Sequence, residues 1–273
     1  MKLTTYLILL IITSSCSLDQ RLCRKYINSP DKATVLVLKA SQLIKSNNTV
    51  AISAGDELEQ YAKDSILLAE SIFLKQINDS AFLNLYQNNL LYWLENFGLQ
   101  VFTDSNAMHF FNYDSTGYIF NNAQAELEEY LIPIEDYNYA DTSVIIDTVV
   151  LKAVAFNCWF ETSMLNNSDE PFRVLFSQFS FNDNVTKKYR YNYNSDITYY
   201  YYHREDLTTE QVYQLADYAA RKNAEYIFDL TMNKYAEEIL KTKKKPKKDY
   251  FHYYRKHNII IPAANERFNE LKN

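Results

Sequence analysis

The fold of this chain is indicated first by one apolar stretch, VIIDTVVLKAVAFNCWFETSML, at residues 144–165. It is rich in the β-branched and aromatic residues that favour strands. A second stretch of this kind, FRVLFSQFSF, follows at residues 172–181. The six residues between them have the composition of a loop. The two stretches therefore predict a long antiparallel hairpin, and we expect Trp159, in its most apolar part, to be buried in the main core.

Shorter runs of the same composition on either side of this hairpin predict further strands at residues 33–39, 99–103, 118–133, 189–193 and 197–203. The acidic middle of the run at 118–133 also permits a helix. Residues from about 40 to 63 contain Gly55 and several polar side chains, which indicates a loop.

Two helices are marked by their end signals. Apolar residues recur every three or four positions from Asp64 to Phe97, and polar residues around 78–80 divide this segment into a short helix and a longer one at 79–97. Gly98 follows where a helix ends in the left-handed conformation. Thr208, with Gln211 three residues later, predicts a capped helix that runs to about Leu240. The element order predicts an α+β fold with a mostly antiparallel sheet packed against two or more helices.

The N-terminus has the pattern of an export signal. Lys2 is followed by a short apolar run and then by small residues up to Cys16. The run is too short for a membrane span, which needs about 20 residues. The segment Thr13-Ser14-Ser15-Cys16 resembles the lipobox of bacterial lipoproteins, although Thr13 stands where Leu, Val or Ile is usual. We predict a signal peptide at residues 1–15 and a lipid on Cys16; the alternative is a secreted protein without that lipid.

The rest of the chain divides by charge. Residues 16–240 carry a net charge of −14 and residues 241–273 a net charge of +7. The lysine run at 241–248 contains Pro246, which cannot continue a helix, and its like charges repel. We predict a tether at 16–32, a single domain at 33–240 and a flexible basic tail at 241–273. The tail could contact an anionic membrane or an acidic polymer, or serve only for solubility.

Several classes of active site are disfavoured. With 3 Gly in 273 residues, no phosphate-binding glycine loop is present. The four histidines, His109, His203, His252 and His257, do not follow a metal-binding spacing. No Gly-x-Ser-x-Gly motif exists, and Cys158 within a strand is better interpreted as a small buried residue than as a nucleophile. We therefore predict no catalytic residue, no metal, no cofactor and no nucleic-acid partner.

Three features leave alternatives open. Glu126, Glu128 and Glu129 could supply a pair of catalytic carboxylates for glycoside hydrolysis or lie on a solvated face. The tyrosines at 199–202 and the aromatic run at 250–254 could stack on a ligand or divide between the core and the exposed face. Cys23 and Cys158 could form a disulfide or remain free thiols.

Three segments of the chain, besides Thr13 to Cys16, carry a family resemblance: WFE at 159–161, TTEQVY at 208–213 and ARKNAEYIFD at 220–229. With them the chain resembles a group of uncharacterised lipoproteins from Bacteroidota, which implies an envelope location and supplies no active residues. The sequence predicts an outer-membrane lipoprotein with a non-enzymatic binding or assembly domain. Its partners would be the lipid bilayer, through Cys16, and an envelope protein or polymer. The alternative is a hydrolase acting on a cell-wall or surface glycan.

Overall fold

The computed structural model describes residues 17–49, 66–112, 117–140, 143–165, 173–193, 197–247 and 249–271. The protein has a mixed α+β fold, as the sequence predicts. Its helices are α1 (Leu18–Asn28), α2 (Asp79–Asn96), α3 (Ala107–Phe111) and α4 (Thr209–Thr242). Residues 66–70 are also helical, and 3-10 turns lie at Leu74–Gln76, Asp104–Asn106 and Arg255–His257. None of the described helices combines the length and apolarity needed to cross a bilayer.

The strands are β1 (Thr34–Leu38), β2 (Leu43–Asn47), β3 (Gln100–Phe102), β4 (Gly117–Ala140), β5 (Ser143–Met164), β6 (Arg173–Asn182), β7 (Asn184–Asn192), β8 (Ile197–Glu205), β9 (Tyr250–Tyr254), β10 (Ile259–Ala263) and β11 (Asn269–Leu271). The predicted strands are thus confirmed, and the predicted helices at 79–97 and 208–240 are α2 and α4. The region expected to be a loop after residue 40 contains β2 instead, and its residues 50–63 lie outside the described residues.

The main sheet is built around the hairpin of β4 and β5. Its order is β11-β6-β5-β4-β1-β3, and β2 also pairs with β4. The pairings β4–β5, β5–β6 and β6–β11 are antiparallel. On the other edge of β4, the strands β1 and β2 run parallel to it, one after the other. The register of β4 shifts between Asn122 and Gln124, at the point where its partner changes from β1 to β2.

Both long strands extend beyond the sheet. Pairing with β6 stops at Ala153, so the remainder of β4 and β5 forms a two-stranded ribbon, and β7 and β8 form a second one. Asp183 joins the two ribbons. Its carboxylate accepts hydrogen bonds from the backbone N–H of Lys152 at 2.8 Å and of Leu207 at 2.7 Å, and it is also paired with Arg204. Burial alone would raise the pKa of Asp183, but these donors hold it below its usual range.

Helix α4 lies at the centre of the domain. Thr208 and Gln211 form the predicted capping box at its start. Its buried residues are distributed around most of its circumference, because α4 packs against the sheet on one side and against α1 and α2 on others. A helix that is apolar on more than one face is typical of the interior of a protein.

The predicted tether at 16–32 is wrong. Ser17 is the N-cap of α1, and its Oγ accepts a hydrogen bond from the backbone N–H of Gln20 at 3.2 Å. Leu22, Cys23 and Tyr26 are buried on one side of the helix. The Tyr26 ring lies 5.7 Å from that of Phe228 in α4. The segment is polar in composition, yet its spaced apolar residues form one face that packs on α4.

The prediction of a flexible tail is also wrong for residues 249–271. Strands β9 and β10 form a hairpin, and β11 pairs with β6 at the edge of the main sheet. Phe251, Ile260 and Phe268 are buried in the main core. The lysine run does end α4, as expected, but the chain after it returns along the helix.

We predict that truncation after Leu240 lowers the melting temperature by more than about 5 °C, because it removes three buried apolar side chains from the core. A point test compares Phe251→Ala with Ile261→Ala, since Ile261 lies in the same hairpin but is 43% exposed. In thermal unfolding, Phe251→Ala should lower the melting temperature by a large amount and Ile261→Ala by a small amount. An unchanged melting temperature in the truncated chain would mean that the hairpin does not pack.

Trp159 is not in the main core. On β5, Phe156, Cys158 and Phe160 face the helices and are fully buried. Trp159 points to the opposite face of the sheet, where it is half-buried and lies 4.9 Å from the ring of Phe176 on β6. Successive residues of a strand alternate between faces. Trp159 therefore shares its face with Asn157 and Glu161, whereas Phe156, Cys158 and Phe160 form the apolar face that meets the helices.

We predict that Trp159→Ala destabilises the domain less than Phe156→Ala does. Phe156 contacts Phe82 and Tyr86, each with its ring 5.0 Å away, and its removal should cost about 3–5 kcal/mol. Removal of the half-buried Trp159 side chain should lower the free energy of unfolding by about 1–2 kcal/mol. Urea unfolding of the two variants measures the difference, and equal losses would place Trp159 in a buried position after all.

Candidate binding site

A cavity of about 610 Å³ lies between the end of α2, the middle of α4 and the turn between β9 and β10. Three elements that are distant in sequence supply its walls. It is lined by Trp93, Phe97, Arg221, Lys222, Glu225, Tyr253, Tyr254, Arg255, Lys256 and His257. Its volume is in the range of small-molecule sites in proteins.

The walls of the cavity are positively charged. Arg221, Lys222, Arg255 and Lys256 carry four positive charges, and Glu225 carries the one carboxylate among the lining residues. Glu225 is already paired: its Oε2 atom lies 2.9 Å from Lys222 Nζ and 3.0 Å from Arg267 Nη1. The cavity therefore favours an anionic ligand.

Aromatic rings form the apolar part of the wall. Trp93 is half-buried and Tyr254 is 42% exposed, so each ring presents part of its surface. Arg255 lies over Phe97, with its guanidinium carbon 5.5 Å from the ring centroid. Arg267 lies in the same way 5.0 Å from the centroid of Tyr254. Rings combined with guanidinium groups provide both flat stacking surfaces and charged hydrogen-bond donors.

Buried polar residues of α4 hold the hairpin wall in place. Asn233 donates to the carbonyl of Phe251 at 2.8 Å and accepts from the Phe251 N–H at 3.0 Å. Four residues earlier on the same helix face, Asp229 accepts from the backbone N–H of Tyr253 at 2.8 Å. These side chains satisfy the backbone groups of β9 that face away from β10. They thereby bring residues 253–257 to α4 and close the cavity.

Asp229 is a buried carboxylate with a shifted pKa. It is 1% exposed, and its Oδ2 atom lies 3.2 Å from Nε of Arg267. Burial raises the pKa of Asp229 to about 8, and the nearby Arg267 opposes this rise. Glu225, a like charge one turn earlier on α4, raises the pKa further. The folded protein therefore binds a proton on Asp229 more tightly than the unfolded chain does.

We predict a pH dependence of stability that depends on Asp229. The pKa of Asp229 in the folded protein is above its value of about 3.9 in the unfolded chain. Its contribution to the free energy of unfolding is therefore fully present below about pH 4 and is lost as the pH rises through about 8. Asp229→Asn should flatten the decline in unfolding free energy between pH 5 and pH 9, measured with urea. Asp217→Asn, an exposed position on α4, is the control. A slope unchanged in Asp229→Asn would contradict the assignment.

The three glutamates considered as a possible catalytic pair, Glu126, Glu128 and Glu129, are divided between the two faces of the sheet. Glu129 is fully buried and accepts hydrogen bonds from the backbone N–H of Ile72 at 3.0 Å and of Phe73 at 3.1 Å, so it holds that turn in place. Glu126 and Glu128 lie together on the opposite face. Ser46 donates to Glu126 at 2.7 Å, and Asn48 donates to Glu128 at 2.6 Å. Neither lines the cavity described above.

The aromatic runs have separate positions. Tyr253 and Tyr254, from the run at 250–254, line the cavity, whereas Phe251 is in the core. In the other run, Tyr201 is 49% exposed on the β7–β8 ribbon, and the side chains of residues 197–200 lie outside the described residues. The stacking interpretation therefore has a structural basis at 253–254.

The histidines and cysteines are dispersed. His257 lines the cavity, while His252 is near Asn265 O, at 3.1 Å. Within the described residues, no three His, Cys, Asp or Glu side chains are grouped to hold a metal ion. Cys23 and Cys158 are free and buried, so the disulfide alternative is not realised. Burial raises the pKa of each thiol to about 12, which makes Cys158 a poor nucleophile.

Most of this site has no recognisable signal in the sequence. The periodic pattern at 79–97 indicates only a helix around Trp93, and the charge of residues 241–273 indicates only a basic tail around Arg255 and Lys256. Basic residues cluster at 221–222 and at 255–257, but no sequence spacing relates them. They come together because β9 docks on α4.

No protein-family model and no curated protein matches the chain. Among solved structures, it is similar to a chain described as a neuraminyllactose-binding hemagglutinin homolog from Helicobacter pylori, with 12% sequence identity and a TM-score of 0.31. The match covers 78% of this chain and 92% of that one.

Proposed function

We propose that this chain is an envelope lipoprotein, anchored to the outer membrane through a lipid on Cys16, and that its domain is a non-enzymatic binding module. The observation that carries the binding role is the cavity of about 610 Å³ with four basic side chains and an accessible Trp93 and Tyr254. Its ligand is an anionic group on an envelope protein or polymer. The signal and lipobox pattern at residues 1–16 supports the location.

The cavity chemistry supports binding rather than catalysis. Arginine and lysine side chains can hold carboxylate, sulfate or phosphate groups by charge-assisted hydrogen bonds. The lining residues include one carboxylate, Glu225, and it is paired with two cations. A glycoside hydrolase needs two carboxyl groups facing one substrate. The pair at Glu126 and Glu128 is engaged by Ser46 and Asn48 on the sheet, which leaves the hydrolase as the weaker alternative.

We predict that Cys16 carries the membrane anchor. Two or more acyl chains hold a protein stably on a bilayer, whereas one chain does not. Cys16→Ala should give a chain without lipid mass that leaves the membrane fraction. Cys23→Ala is the matched control and should remain lipidated. If the Cys16→Ala chain stays in the membrane pellet through detergent-free washes, the lipoprotein assignment fails.

The binding role is tested by crosslinked pull-down of the lipidated protein from its own membranes. Arg255→Gln/Lys256→Gln should lose the captured partner, because two of the four basic side chains of the cavity are neutralised. The control variant Lys188→Gln/Arg190→Gln removes the same amount of charge from the exposed β7–β8 ribbon. It should still capture the partner. Equal capture by both double variants would exclude the cavity as the site.

Trp93 offers a direct reporter for the same test. In a Trp159→Phe background it is the only indole, since the chain has 2 Trp. A captured partner, once purified, should change the emission of Trp93 on titration and should do so less at high salt, because charged contacts are screened. The hydrolase alternative would instead be supported if the protein releases reducing sugar ends from envelope glycans and the variant Glu128→Gln does not.

A further inference from the structure

The lipid attachment point is directly joined to the folded domain. Cys16 precedes Ser17, and Ser17 is already the N-cap of α1. Consecutive Cα atoms are about 3.8 Å apart, so no flexible linker separates a lipid on Cys16 from the helix. Any surface of the domain close to the start of α1 must therefore lie close to the bilayer.

The lysine run lies next to the start of α1. The backbone N–H of Asp249 donates to Oδ2 of Asp19 at 3.4 Å, and Asp19 is in the first turn of α1. Lys247 lies over the ring of Tyr250, with its Nζ atom 4.7 Å from the centroid. Asp19 and Tyr250 thus hold the chain near the end of the run, and Lys243, Lys244 and Lys245 are held beside the anchor.

The charges of this surface are positive and accessible. Lys243, Lys244 and Lys245 are exposed, and Lys247 is half-buried. Three carboxylates lie near Lys247. Glu237 is paired with Lys241 at 3.0 Å and with Lys234 at 3.5 Å, Glu266 is paired with Arg173 at 2.8 Å, and Asp19 is buried. Asp249 is the exposed carboxylate at the end of the run. The three exposed lysines therefore dominate the local field.

We propose that Lys243, Lys244 and Lys245 form a second membrane contact that binds anionic phospholipid headgroups beside the lipid on Cys16. This inference rests on the lipid anchor of the proposed function. Each lysine close to an anionic bilayer strengthens binding by about five-fold. With the acyl chains, this contact restrains the domain from rotating about its anchor. Glu225 of the cavity is 17 residues along α4 from Thr242, roughly 26 Å, so the cavity remains clear of this contact.

The test uses the mature chain with Cys16→Ser, which retains every described residue and has no acyl chain to obscure the lysine contact. It is sedimented with vesicles of phosphatidylcholine alone and with vesicles containing one quarter phosphatidylglycerol. We expect binding to the anionic vesicles only, and loss of that binding in 0.5 M salt. Lys243→Gln/Lys244→Gln/Lys245→Gln should weaken it about 100-fold.

Lys75→Gln/Lys188→Gln/Arg190→Gln is the matched control, because it removes three charges from exposed positions elsewhere and should bind like the parent. Thermal unfolding confirms that each variant is folded. Absence of binding to anionic vesicles, equal binding to neutral ones, or an equal loss in the control would overturn the proposal. Binding of dextran sulfate through the same lysines without vesicle binding would assign them to an acidic polymer instead.

The two proposals fail separately. If mass spectrometry finds no lipid on Cys16 while the lysine-dependent vesicle binding is present, the anchor of the proposed function is wrong and the lysine surface stands by itself. If Cys16 is lipidated and the vesicle binding is absent, the lysine contact is wrong and the anchor stands.

Discussion

The antiparallel pairing of β4 and β5 is the constraint on which the rest of the structure depends. It runs from Tyr118 opposite Met164 to Ala140 opposite Ser143. Every other strand of the main sheet except β3 and β11 attaches directly to one of these two strands. Because strand residues alternate between faces, this register decides which side chains meet the helices. It places Phe156 under α2 and Trp159 on the opposite face, and a shift by one residue would exchange them.

Helix α4 is the second organising element, and its buried polar residues have a specific role. A buried Asn or Asp without partners is costly, but Asn233 and Asp229 accept or donate hydrogen bonds with the backbone of β9. These bonds direct the hairpin to α4. The cavity exists because of this docking, since its basic residues lie partly on α4 and partly on the turn that follows β9. Stability and the candidate binding site thus share the same contacts.

The fold places the basic residues of the C-terminal segment at two separate sites on the domain. The basic residues after residue 240 lie mainly in two places: the lysine run at the end of α4, close to the start of α1, and the turn at 255–257, which lines the cavity. The lysine run faces the proposed membrane surface, and the turn at 255–257 faces the proposed anionic ligand. The negative net charge of the remaining body disfavours close approach of an anionic bilayer elsewhere, which is consistent with a preferred orientation.

The sequence by itself determined the elements whose signals are local. Composition predicts β5 and β6, the capping box of Thr208 and Gln211 predicts the start of α4, and Gly98, with φ of 81°, ends α2 as expected. Only the tertiary structure decided the rest. The polar segment at 18–28 and the basic segment at 249–271 have weak local signals and are ordered by long-range contacts, such as Tyr26 with Phe228 and Asn233 with Phe251. The cavity depends on three distant segments, whose proximity follows from packing and from no spacing along the chain.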